Sequence, residues 1–429
     1  MECLVTKLRG AVNDNSLLRM GEMRIGVKRV SSPSSKTQGF TFGFNKDVRL
    51  EIVGDGYFTD KALTANTGKS MTVTKDQVTD VYVSNGDFEL AVTDKYALTN
   101  LSFYSRADGS ATQAQMSNRT INLTDLSYST AMKELLLSNT QLTGTLSDLR
   151  NLTALTTLTI GSTQISGDIS ALSGMKELTT LYANNCQISG DISALSGLSK
   201  LAAISLGETE VSGDISALGS LTSIFSMSIS NLAVRGNLSS LAGLTKLQIL
   251  NLNNTAVTGD ISALATLKSL VQANLSNIAV SGNISALSGL KSLSEFSTTS
   301  NEVTGDVSAL SGLTSLQSIT LADSQVTGDL ALIAPNCVYI GFGTNYSGSG
   351  LTWSTRPSSA KILAINGFGK LDNVDKMLQD QAECVKGFTE SSPSWYKVIS
   401  VVGTRTSSSD TAMAQLQEMG YTITIRNEE

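Results

Sequence analysis

The side chains that most often do chemistry are either missing or scattered. None of the 429 residues is histidine, which removes the commonest general base and a common metal ligand together. Without it, neither a Ser/His/Asp nor a Cys/His arrangement can be built. The four cysteines, Cys3, Cys186, Cys337 and Cys384, are far apart with no Cys-x-x-Cys spacing, so neither a zinc site nor a disulfide framework is expected. TANTGKS (64–70) ends like a phosphate-binding loop, but the position five residues before Gly68, where that motif needs glycine, is Leu63. A turn in a β-rich region is the better reading. No carboxylate pair sits in a recognisable glycosidase context. The sequence therefore reads as a non-enzyme with no cofactor.

Two polar columns remain. Asp168, Asp191, Asp214, Asp260, Asp306 and Asp329 recur at one position of a repeated unit, with Asn237 and Asn283 interrupting. Stacked carboxylates raise the question of calcium, but the paired glycines of calcium-binding solenoids are absent. An Asp ahead of I-S-A-L is better read as the cap of a short helical turn or as an Asx-turn, and no metal is expected. The second column is Thr159, Tyr182, Ser205, Ser228, Asn251, Asn274, Ser297 and Thr320. It is uncharged, rich in hydroxyls and amides, and holds one aromatic. These eight residues are the candidate binding positions.

The element that positions both columns is a tandem repeat. Glycine recurs at Gly144, Gly167, Gly190, Gly213, Gly236, Gly259, Gly282, Gly305 and Gly328, each step being 23 residues. The unit reads S-G-D-I-S-A-L-S-G-L-x-x-L-x-x-L-x-L-x-x-T-x-V, and a degenerate leading copy begins near Ile121. Its L-x-L pair alternates with the period of a half-buried strand. One coil buries too little apolar surface to offset the ordering of its backbone, so neighbouring coils must share each apolar layer.

LTTLTIGSTQI (155–165) and LQILNLNNTAV (247–257) resemble the L-x-x-L-x-L-x-x-N/C/T-x-L core of the leucine-rich-repeat family. G-D-I-S-A-L falls where the plant-like subclass carries L-x-G-x-I-P. The resemblance covers roughly 121–344. It implies an α/β-type solenoid with a parallel β-sheet, and places the hydroxyl and amide column on the concave face. The family's ladder Asn is here Thr140, Thr163, Cys186, Thr209, Leu232, Thr255, Ile278, Asn301 and Ser324. Leu232 and Ile278 cannot hydrogen-bond through their side chains, which leaves backbone satisfaction open at those two turns.

The flanks differ from the repeat. Strand-like runs appear at CLVTKL (3–8), MRIGV (23–27), FTFGF (40–44), RLEIV (49–53), DVYV (80–83) and FELAV (88–92), with turn signals at Gly54-Asp55-Gly56 and Asn85-Gly86-Asp87. They predict a small all-β sandwich or barrel, with a loop or joint at SSPSSKTQG (31–39). After Gly328 the period is lost and Tyr346–Gly350 reads as a loop. KILAING (361–367), NVDKMLQDQAECV (373–385), WYKVISVV (395–402), DTAMAQLQEM (410–419) and YTITI (421–425) then predict a β-α-β-α-β series. Its parallel strands continue the solenoid sheet as C-terminal α/β capping coils. The expected domains are a docking domain at 1–117, the solenoid at 118–344 and the cap at 345–429.

A net charge of −6 and a pI of about 5.0 argue against a nucleic-acid partner and leave no polybasic patch for a membrane surface. No run of about 18 apolar residues is long enough to span a bilayer. The N-terminus has no apolar segment of signal-peptide length, which reads as a chain that does not leave by general secretion. The chain is also similar to repeat proteins of gut anaerobic bacteria and their phages, in which a segment like CLVTKLRGAVNDNSLLRMGEMRI precedes the same coils. That resemblance implies a structural or adhesive component on a virion surface, in several copies. It would contact other virion proteins through the N-terminal domain and a host-surface glycan or protein through the concave face. The other expectation is a bacterial interaction scaffold, cytoplasmic, that binds a cellular protein or glycan.

Overall fold

One coil shows why the repeat takes the shape it does. Thr180–Tyr182 is a short strand with its central Leu181 fully buried. After Ala183, also fully buried, the chain turns at Asn185, which takes the left-handed conformation with φ 55°. A second strand, Gln187–Asp191, follows. Within it Gly190 has φ 104°, a conformation open to glycine because it carries no Cβ. Asp191 then caps the 3-10 turn Ile192–Leu195. Ile188, Ile192, Leu195, Leu198 and Leu201 all point inward and are fully buried, so one apolar layer is completed before the next strand begins.

The computed structural model describes residues 23–27, 38–54, 58–59, 66–83, 88–94, 97–102, 119–299, 302–343, 350–357, 360–361, 364–385 and 397–426. CLVTKL (3–8), Asn85-Gly86-Asp87, Tyr346–Ser349 and residues 31–37 of SSPSSKTQG lie outside those residues. The chain divides into two compact units, Met1–Gly144 and Thr145–Glu429.

The second unit is the coil just described, stacked repeatedly. Strands of the Thr180–Tyr182 type pair in parallel from Thr157–Thr159 through Ser318–Ala322 to Tyr339–Gly343. Strands of the Gln187–Asp191 type form a separate nine-stranded parallel sheet. The 23-residue period ends at Gly328, as expected, yet the smaller sheet gains one more strand. Gly350 has φ 112° but stands outside the glycine column, since an added Cβ there would meet Thr327 and not the cap Asp329. Leu351–Thr352 pairs in parallel with Gly328 and Asp329. The sequence hides this strand because the residues between no longer follow the apolar template.

Beyond it the β-α-β-α-β expectation holds. Strands Ala364–Lys370, Val398–Val402 and Thr422–Arg426 extend the long sheet in parallel. Helices α1 (Val374–Val385) and α2 (Asp410–Glu418) connect them. Arg356 is buried at the base of this cap, at 3% exposure. Its guanidinium donates to the carbonyls of Lys361 at 3.0 Å, Cys337 at 3.1 Å and Ile333 at 3.5 Å. Asp380 on α1 accepts from the Arg356 backbone N–H and from Trp353 Nε1, both at 3.0 Å, and pairs with Lys376. A buried charge needs this degree of satisfaction to be tolerated.

The first unit is all-β apart from short turns among its described residues. One sheet runs Gln141–Thr143, Arg119–Asn122, Met23–Val27, Phe88–Val92, Val48–Gly54, Ser70–Val73. In the other, Gln38–Phe44 pairs antiparallel with Val78–Val83 and Leu98–Ser102. Most pairings are antiparallel, but Arg119–Asn122 with Gln141–Thr143, and Leu98–Ser102 with Glu134–Leu136, are parallel. Phe42, Phe44, Ile25, Leu50 and Leu90 supply the core.

Candidate functional site

The eight candidate residues form one continuous ladder. Thr159, Tyr182, Ser205, Ser228, Asn251, Asn274, Ser297 and Thr320 are direct register partners in successive strands. Their neighbours along each strand point inward: Leu158, Leu181, Ile204, Met227 and Leu250 are at most 1% exposed. Alternation along the strand therefore turns the ladder outward. Tyr182 is exposed and the other seven are half-buried.

The amides in this column are oriented. Asn251 Nδ2 donates to Ser228 Oγ at 3.4 Å, and Asn251 Oδ1 accepts the Asn253 N–H at 3.3 Å. Asn274 Oδ1 accepts the Ser276 N–H at 3.1 Å, and the hydroxyls of Ser276 and Ser297 meet at 2.8 Å. A parallel outward column, Thr157, Thr180, Ala203, Ser226, Ile249, Gln272, Glu295 and Ser318, runs beside it in the same register. Where the two columns pass Ala273 they enclose a groove of about 290 Å³, bordered by Ile249, Asn251, Gln272, Asn274, Glu295, Ser297, Ser318 and Thr320. Ile249, Gln272, Glu295 and Ser318 belong to the neighbouring outward column that the repeat also predicts, beside the eight candidate positions. Seeing the groove takes both columns and the small Ala273 between Leu250 and Phe296.

A third column was missed. Asn139, Ser162, Asn185, Glu208, Asn231, Asn254, Asn277 and Asp323 all hold φ between 55° and 61°. Asn277 Nδ2 donates to Asn254 Oδ1 at 2.8 Å, Asn254 to Asn231 at 2.6 Å, and Asn231 to Glu208 at 2.5 Å. The signal was present, because asparagine tolerates the left-handed region better than most residues. It recurs one residue before the ladder column of Thr140 and its successors.

Those ladder residues close turns. Thr140, Thr163, Thr209, Thr255 and Ser324 donate to the carbonyl three residues earlier at 2.6–2.8 Å. Cys186 Sγ reaches the Ile160 carbonyl at 3.2 Å. At Leu232 and Ile278 apolar burial, at 5% and 3% exposure, takes the place of that bond.

The carboxylate column is structural. The N–H of Ser170, Ser193, Ser216, Ser262, Ser308 and Ala331 donates to the Asp two residues earlier at 2.7–2.9 Å. Asn237 and Asn283 accept the same bond at 2.9 Å, so the role needs an oxygen and not a charge. Hydrogen bonds from the Ser two residues on, through hydroxyl and backbone N–H, hold the carboxyls of Asp168, Asp191, Asp214 and Asp260 below their ordinary range. Among the described residues no group of three His, Cys, Asp or Glu could hold a metal ion. Of the TANTGKS segment, Asn66–Gly68 and Ser70 fall in the strands Asn66–Gly68 and Ser70–Val73. Cys186, Cys337 and Cys384 are free and buried, and burial pushes the Cys337 thiol up to about 11. Among the described residues no helix is long and apolar enough to cross a membrane.

No protein-family model and no curated protein matches the sequence. Solved structures do match. A TDR receptor superposes with a TM-score of 0.57 at 22% identity, over 71% of this chain and 53% of that one. The plant peptide hormone receptor RGFR1, solved in complex with RGF2, gives 0.51 at 20% identity, over 72% and 54%. A leucine-rich-repeat protein of Leptospira interrogans gives 0.51 at 16% identity, over 70% and 74%. The chain thus spans about half the length of the two receptors. At these identities the likeness is one of fold: the chain is a leucine-rich-repeat solenoid.

Proposed function

We propose that this leucine-rich-repeat solenoid is a non-enzymatic binding scaffold whose partner lies against the outward face of its long parallel sheet. The observation that carries the reading is the unbroken register of Thr159 to Thr320 beside the second outward column, with a groove between them. Hydroxyls and amides held at strand spacing offer a partner a regular set of donors and acceptors on a preorganised surface. Two solved proteins of the same fold were captured with partners, one as RGFR1 in complex with RGF2 and the other as PEPR1-AtPEP1. Photo-crosslinkers placed at Ser228 and Asn274 are expected to capture the partner from the native source. One at Thr258, on the nine-stranded sheet, is expected to capture nothing. Equal capture from both sheets would remove the reading.

In its finer form the proposal is a virion component. The segment 1–117 docks to other virion proteins, the solenoid at 118–344 is displayed to a host-surface protein or glycan, and 345–429 caps it. This form rests on the resemblance drawn from the sequence, with CLVTKLRGAVNDNSLLRMGEMRI ahead of the G-D-I-S-A-L coils. Stoichiometric co-purification with capsid or tail proteins, measured by mass spectrometry, is the expected result. Recovery away from particles would leave the scaffold reading and remove the virion.

A further inference from the structure

The groove carries a finer assignment, which rests on reading the outward face as a binding surface. From Thr157 to Thr320 the strands of the long sheet turn their first and third residues, and the residue ahead of them, away from the core, with Ala203 alone of these buried. From Thr156 to Thr320 the one charged side chain at these positions is Glu295, and no cation occurs there. The lysines of these coils, Lys176, Lys200, Lys246, Lys268 and Lys291, stand in the loops ahead of the strands. Glu295 is exposed and has no ion pair or side-chain hydrogen bond among the described residues.

The same part of the face carries two exposed apolar side chains side by side, apart from the exposed Tyr182 two strands away. Phe225 is 43% and Ile249 37% exposed, which is unusual for such side chains on a sheet of Ser, Thr and Asn. They adjoin across neighbouring strands, since the N–H groups of Gln248 and Ile249 both donate to the Phe225 carbonyl at 2.8 and 3.1 Å. Ile249, Gln272 and Glu295 are register partners in three successive strands. At about 4.8 Å per strand, the carboxylate stands about 10 Å from Ile249.

We propose that this groove takes an extended peptide segment that is basic and aliphatic. An apolar side chain covers Phe225 and Ile249. A lysine or arginine about two to four residues away, given about 3.3 Å of rise per residue, reaches Glu295. Peptide N–H and C=O groups meet the amides of Asn251 and Asn274. Charge complementarity selects this occupant. An acidic peptide or an acidic glycan would bring anions to a face whose single charge is negative. A neutral glycan would leave aliphatic Ile249 beside hydroxyls.

The test is selection from a random dodecapeptide library on the full chain, followed by fluorescence anisotropy with the enriched peptides. The expected consensus pairs an aliphatic or aromatic residue with Lys or Arg. Affinity should fall roughly tenfold on Glu295→Gln, as for a hydrogen bond to a charged group. It should also fall on Phe225→Ser, with the thermal midpoint unchanged in both variants. An acidic or purely polar consensus, or one indifferent to both substitutions, overturns the peptide assignment and leaves the scaffold reading standing. No enrichment, with neutral oligosaccharides bound to the same face, overturns it in favour of a glycan. Absence of any ligand on this face removes both readings.

Discussion

Replacing Gly213 by alanine should harm the solenoid for two separable reasons. The first is backbone conformation: Gly213 has φ 112°, which L side chains rarely adopt, at a cost of about 1–3 kcal/mol. The second is space. A Cβ there would lie 2.6 Å from Asp191 Oδ1 and 2.8 Å from its Cγ. Asp191 must then leave the Ser193 N–H, which it now accepts at 2.8 Å, and a lost cap costs about 1 kcal/mol. Gly167 supplies the control. Its φ is 106°, yet the nearest atom to an added Cβ is Leu146 N at an ordinary 3.4 Å. Gly167→Ala should therefore lose about 1–3 kcal/mol and Gly213→Ala about 1 kcal/mol more. In an Asp191→Ala background the extra loss at Gly213 should vanish, as a double-mutant cycle on urea unfolding would record. Because stacked coils can open one by one, exchange of the Ser193 amide gives the local readout and should accelerate in Gly213→Ala alone. Equal losses at the two glycines, with the Ser193 amide still protected, would refute the packing of each glycine on the preceding carboxylate.

Three further outcomes are expected. Thr298 is fully buried between Leu275 and Leu321, and its hydroxyl has no partner among the described residues; Thr298→Val should raise stability by about 1 kcal/mol in urea unfolding, and a fall would show a bond to that hydroxyl. Arg356→Met leaves three carbonyls without their donor and should cost about 3 kcal/mol or more, opening 350–426 to limited proteolysis before the coils; simultaneous loss of both would contradict a local role. The third concerns pH. Burial pushes the Asp375 carboxyl up, but hydrogen bonds from Ser409, Thr406 and Ser408 outweigh it and hold the carboxyl at about 2. Depressed carboxyls stabilise the fold above the unfolded value near 4 and lose that contribution as pH falls toward the folded one. The thermal midpoint should therefore be flat from pH 8 to 5 in this histidine-free chain and drop between about pH 4 and 2, with a smaller drop in Asp375→Asn; a decline beginning at pH 6 would point to other groups.

Periodicity carries through to structure where each position has one partner repeated many times. The buried Leu and Ile columns, the capping role of Asp168 and its successors, and the outward turn of Thr159 to Thr320 all follow from residues fixed within one coil. The helices and strands after Ala364 follow from amphipathic period and turn residues in the same way. What escaped was set by pairs distant in sequence. Val48–Gly54 lies between Ser70–Val73 and Phe88–Val92, an order fixed by core packing and invisible to local pattern. Arg356 and Asp380 occur once each, so no recurrence marks them. Both outward columns follow from the period, but the groove needs Ala273, Ile249 and Glu295, single departures from their columns, to fall side by side.

The contact between glycine and the preceding cap has a consequence for how such a chain can change length. Gly190 sits on Asp168, Gly213 on Asp191, Gly259 on Asn237 and Gly305 on Asn283. From Gly190 to Gly328 each junction thus joins the same two surfaces, whether the cap is Asp or Asn. A recombination event that removes one whole unit places a glycine over a cap it has not met before, and the fit is unchanged. A deletion one residue longer or shorter seats a side chain where only a hydrogen fits. Nothing within the array fixes how many coils there are; that number is free to drift in whole steps, and with it the span of surface the chain can present.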